Sequence, residues 1–165
     1  MSTQTTDSLT MFEHIMDLAT KKAAEKGTTV TLVVAPTLVV FDFIQALRVK
    51  NTQEPLPVGT EQFALLPYCG AVVFGVQIDE KHPHYGTLTC WDSDQIRPDI
   101  STCPQLVGTP RPDESTDLFN HTLWGCQVED WMAEYHAGIA YLLNSKTEKP
   151  LVQARLMDNQ NGETT

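Results

Sequence analysis

Basic residues are scarce in this 165-residue chain: 11 Lys and Arg stand against 21 Asp and Glu, a formal charge of -10. The acids are ordinary in number, so the acidity is chiefly a shortage of positive charge. That shortage argues against direct nucleic-acid binding, because affinity for a phosphate backbone comes from Lys and Arg displacing counterions. Only Lys21, Lys22 and Lys26 cluster, at the end of an expected helix, where cations meet the negative pole of the dipole. No apolar run reaches the roughly 18 to 20 residues needed to span a bilayer. The longest apolar region, Val30 to Ile44, is broken by Thr31, Pro36, Thr37 and Asp42. The N-terminus lacks a basic segment followed by an apolar one, so no secretory signal is read there and a cytoplasmic protein is expected.

Cysteine is also sparse. Cys69, Cys90, Cys103 and Cys126 are spaced by 21, 13 and 23 residues with no C-x-x-C pair, which argues against a structural zinc site and, in the cytosol, for reduced thiols. Gly70, Gly75 and Gly86 form no G-x-G-x-x-G, and neither a phosphate-loop G-K-[ST] nor a G-x-S-x-G elbow occurs; the familiar nucleotide loops and the hydrolase elbow are therefore excluded. No cofactor is expected.

What is present reads as one α+β domain over residues 9–157: a small mixed or antiparallel sheet of about four strands with three helices packed on it. Polar residues 1–8 and 158–165 read as flexible tails. Leu9, Phe12, Ile15, Met16, Ala19 and Ala23 recur at helical spacing, and Gly27 follows as a stop. Thr28 to Val34 is β-branched and apolar on both faces, the mark of a central strand. A second helix is expected from Leu38 to about Val49, capped by Thr37, and Glu54 to Pro67, with three prolines, reads as a loop. Ala71 to Ile78 and Tyr85 to Trp91 read as strands joined by a short loop, hence as an antiparallel hairpin. Residues 92–112, with four prolines, form a long loop of the kind that is commonly functional. Trp124, Val128, Trp131, Tyr135, Ile139 and Leu142 draw one apolar stripe along a third helix capped by Asn120 or Thr122. A rival strand from His136 to Leu143 would discard that stripe. Leu151 to Met157 reads as an edge strand.

Charge is uneven. Residues 79–134 hold eleven acids and three basic residues, nearly the whole net charge of the chain. Four groups of side chains there could carry chemistry. His82, His84, Asp92 and Asp94 are metal-ligand types, although Pro83 suggests a turn and the spacing matches no metal signature. Asp92-Ser93-Asp94 resembles the start of a calcium loop, but Arg97 stands where the turn glycine belongs and Cys103 where the bidentate Glu belongs; a turn with Asx hydrogen bonds explains it better. Cys126, near the expected start of the third helix, could pair with His121 as an activated nucleophile, or simply flank the buried stripe. Asp92, Asp94, Asp99, Asp113, Glu114 and Asp117 are the candidate protein-binding acids.

The expected function is a non-enzymatic contact with another protein of basic character, together with self-association into a homo-oligomer. The alternatives are a small hydrolase or transferase built on Cys126 and His121 or on the His/Asp metal site, and an acidic inhibitor that imitates nucleic acid.

Overall fold

A computed structural model describes residues 2–53, 55–56, 64–103 and 118–156, with the backbone alone for 2–8 and 118–126. The chain forms α1 (Ser2–Lys26), β1 (Val30–Pro36), α2 (Thr37–Lys50), β2 (Leu65–Tyr68), β3 (Ala71–Val76), β4 (Thr87–Asp92), a 3-10 turn (Ile100–Thr102), α3 (Leu118–Asn144) and β5 (Val152–Arg155). The strands make one mixed sheet in the order β2-β3-β1-β4-β5. This is a single-domain α+β fold. Among the described residues no helix is long and apolar enough to cross a membrane.

Local chemistry explains most boundaries. The periodic residues of α1, Phe12, Ile15, Met16, Ala19 and Ala23, are all buried. Gly27 ends the helix at φ +77, and the N–H groups of Gly27 and Thr28 donate to the carbonyls of Ala24 and Ala23. That pair of bonds is the Schellman motif, and the left-handed residue it requires favours glycine. At its other end α1 begins at Ser2, so residues 2–8, read above as a tail, belong to the helix. Once packing has nucleated a helix, each added residue gains a hydrogen bond at little cost. Residues 158–165 and most of the Pro-rich loop, 104–112, lie outside the described residues.

Pro36 occupies the N-cap of α2 at ψ 145 and no side chain caps the helix, in place of the Thr37 cap that the sequence suggests. Similarly, α3 starts at Leu118, so Asn120 and Thr122 lie inside the helix and not at its cap. The rival strand at 136–143 is replaced by continuous helix to Asn144.

The strand pairings differ from the expected hairpin. β3 and β4 are not neighbours: β3 lies parallel to β1 on one side, and β4 antiparallel to β1 on the other. Residues 77–86 therefore pass over the carboxyl end of β1. Two strand spacings are only about 10 Å, which ten residues span easily, so loop length alone did not decide the pairing. The hairpin in this sheet is β2–β3, turned by Cys69 (φ +53) and Gly70 (φ +81), the doubly left-handed geometry of a two-residue turn. Cys69 is exposed in that turn. β2 was hidden by Pro67, which an edge strand tolerates because its missing N–H faces no partner.

Alternation along the strands sorts the layers. Tyr68, paired with Ala71, meets Phe43 of α2 edge-on at 5.0 Å, and Phe43 stacks on Phe12 of α1 at 3.9 Å. On the opposite face Phe74 meets Trp131 of α3 at 6.4 Å. Thus α1 and α2 cover one side of the sheet and α3 the other. The α3 stripe is buried at Val128, Trp131, Ile139 and Leu142. Trp131 Nε1–H donates to Thr102 Oγ1, and the Asp99 N–H donates to the Tyr135 hydroxyl, so the segment after β4 straps this helix down.

Gly138 sits on the exposed side of α3, where an added Cβ would meet, among the described residues, only Ile96 Cδ1 at 3.7 Å. With space available, helix propensity decides, and Gly138→Ala is expected to stabilise the protein by about 0.5–1 kcal/mol. Urea midpoints at constant m-value measure it.

Candidate functional site

The loop 77–86 and the last turns of α3 enclose a cleft of about 180 Å³ beside the carboxyl end of β3. Phe74, Val76, Ile139 and Leu143 give it an apolar lining, and Gln77, Asp79, His82, His136 and Asn144 also border it. The loop is pinned to the helix at one side chain. The His84 N–H donates to His82 Nδ1 at 3.0 Å, so that nitrogen carries no proton. The ring's Nε2–H accordingly donates to Asn144 Oδ1 at 2.7 Å, while Asn144 Nδ2 donates to the Ala140 carbonyl. These bonds fix the imidazole tautomer and the amide orientation together.

His84 stands beside this lock with its ring 5.6 Å from that of His82 and its Nδ1 buried, without a hydrogen-bond partner among the described residues. Burial, reinforced by the neighbouring His82 ring and the Lys149 ammonium, holds its pKa below the usual value of 6.5. The folded state therefore refuses a proton that the unfolded chain binds once the pH drops below 6.5, and stability falls on acidification through that point. Melting curves between neutral pH and pH ~5 should fall more steeply for the wild type than for His84→Gln. Equal slopes would contradict this assignment.

The four proposed metal ligands do not converge. His82 and His84 precede β4 and Asp92 ends it, and five steps along a strand amount to about 17 Å. Both ring nitrogens of His82 are already hydrogen-bonded. Among the described residues no three His, Cys, Asp or Glu side chains gather around a possible ion.

Asp92 also leaves the list of surface acids. It is fully buried, and its Oδ2 accepts from Lys26 Nζ at 2.5 Å. Its Oδ1 accepts from the Asp94 N–H in an Asx turn. The bond to Asp92, aided by the charges of Asp94 and Glu148, raises the Lys26 pKa above its usual value against the opposing effect of burial. The cation at the end of α1 thus closes the turn after β4 instead of merely facing a helix dipole. Asp94 and Asp99 are exposed, and Asp99 Oδ1 accepts from the N–H and hydroxyl of Ser101. Asp113, Glu114 and Asp117 lie outside the described residues.

Cys126 is the ninth residue of α3, beyond the first turn in which a helix N-terminus activates a thiol. His121, five residues earlier on the same helix, is rotated from it by about 140° around the axis. The helix does not place the two as neighbours, which i,i+3 or i,i+4 spacing would do. Of the other thiols, burial raises Cys90 and Cys103 to about 12, which suits them to packing and not to nucleophilic work.

Two features escaped the sequence reading. The outward side of α3 exposes Glu129, Asp130 and Glu134, and further along Tyr141, 62% exposed. Their positions off the apolar stripe were the available signal. The cleft had none, because its two walls meet only through the crossing of residues 77–86 over β1. Compared with family models, curated proteins and solved structures, the chain matches none.

Proposed function

We propose that this is a cytoplasmic protein-interaction or assembly protein that presents the outer side of α3 to a basic partner. The observation that carries the reading is the charge of that helix. α3 holds three acids, Glu129, Asp130 and Glu134, and no Lys or Arg, and all three acids are exposed. Such a surface raises the association rate of a positively charged partner and repels acidic ones. The exposed Tyr141 adds an aromatic anchor of the kind that concentrates binding energy. Self-association, also proposed, would have to use another surface, since two copies meeting through α3 would oppose like charges.

Co-purification of tagged protein from its own cells tests this reading with three chains: wild type, a Glu129→Gln/Asp130→Asn/Glu134→Gln variant, and a Glu13→Gln/Asp17→Asn/Glu25→Gln control on α1. A basic protein retained by wild type and control, and lost from the α3 variant, is the expected result. Equal retention by all three would contradict the reading.

A further inference from the structure

The geometry points to the cleft beside β3 as a binding site for a small organic cation, an amine carried on an apolar body of about one ring. It uses different residues from the acidic outer side of α3 and stands or falls separately. Size comes first. A cavity of about 150 Å³ lined by aliphatic and aromatic groups accepts a benzene ring, and the cleft here offers about 180 Å³ over Phe74, Val76, Ile139 and Leu143.

Charge sets the head group. Among the described residues no Lys or Arg lines the cleft, and Asp79 is the one carboxylate at it. Asp79 Oδ1 accepts the Lys81 N–H at 2.8 Å, which leaves a carboxylate with capacity for further donors. Two other bordering groups are already committed: both ring nitrogens of His82 and both ends of the Asn144 amide are hydrogen-bonded. The cleft is also walled by Ala140, Leu143 and Asn144 in the last turn of α3, where the final carbonyls carry the negative end of the helix dipole. A carboxylate and a helix C-terminus therefore act on the same opening, and both favour a cation. An ammonium group seated against Asp79 places its hydrocarbon over the apolar lining.

The test is a titration of methyl-labelled protein with phenethylamine, phenethyl alcohol and hydrocinnamate, three molecules of nearly one shape with positive, neutral and negative ends. The expected result is saturable shifts of the Ile78, Ile139 and Leu143 methyls, with the amine about two- to fivefold tighter than the alcohol, the size of an exposed ion pair, and the acid weakest. Asp79→Asn keeps an oxygen for the Lys81 N–H and should bring amine and alcohol to equal affinity. Ala140→Phe should fill the cleft and abolish both. The Asp79→Asn comparison decides the matter even if Ala140→Phe fails to fold. Absence of saturable shifts at those methyls, a preference for the alcohol or the acid, or an amine advantage that survives Asp79→Asn would overturn the assignment.

Discussion

Gly75→Val is expected to abolish the cooperative folding transition, and Gly75→Ala to cost about 1–3 kcal/mol, the usual range for overpacking. Gly75 lies in β3 opposite Ala35 of β1, and its N–H donates to the Ala64 carbonyl. A Cβ at this position would stand 2.6 Å from Ala64 Cβ and 3.1 Å from both the Ala64 carbonyl and Thr37 Cα. None of these is the movable end of a long side chain. Relief requires the start of α2 or the approach to β2 to shift, and close-packed interiors resist such shifts. Valine adds two further methyl groups in the same direction. Urea unfolding followed by circular dichroism reads both variants; an alanine variant as stable as wild type would mean that α2 does not begin against β3 as described.

Phe43→Ala is expected to lose about 3–5 kcal/mol, the range for deleting a buried aromatic ring. This is a large share of the roughly 5–15 kcal/mol that holds a domain together. The ring is fully buried and lies between Phe12 and Tyr68, so one truncation loosens α1, α2 and the edge strand β2 together. Aromatic pairs contribute about 0.5–1.5 kcal/mol beyond the area they bury. Accordingly, Phe43→Leu should recover much of the loss but not all. A cost below about 1 kcal/mol for Phe43→Ala would show that α1 and α2 are not seated on the sheet through this stack.

The elements that could be read from sequence are those whose own pattern specifies them. Phe12 to Ala23 and Val128 to Leu142 carry a helical period, Val30 to Val34 is a β-branched run apolar on both faces, and these segments form helix, helix and central strand as expected. What could not be read depends on contacts between distant segments. Pro67 disguised β2, since its edge position is a property of the whole sheet. The β3–β4 connection fits a hairpin by length, and only the insertion of β1 between the two strands turns it into a crossover.

The site followed the same rule. Asp92 looked like a surface acid because nothing near it in sequence shows that Lys26, 66 residues away, covers it. His82 and His84 were grouped with Asp92 and Asp94 by chain distance, which a single extended strand converts into separation. The exposed acids of α3 were legible in principle, because any residue off a well-formed apolar stripe faces outward. The cleft between residues 77–86 and α3 was not, because it exists only once the crossover is formed.

The measurement that bears most directly on the central claim is native mass spectrometry of the protein purified from its own cells, at low salt and again after exposure to about 0.5 M salt, where charge attraction is screened within a few ångströms. The account predicts a complex with a basic protein at low salt that is lost or strongly reduced at high salt. A chain that carries no basic partner at low salt, or a complex indifferent to salt, would contradict the acidic side of α3 as the docking surface.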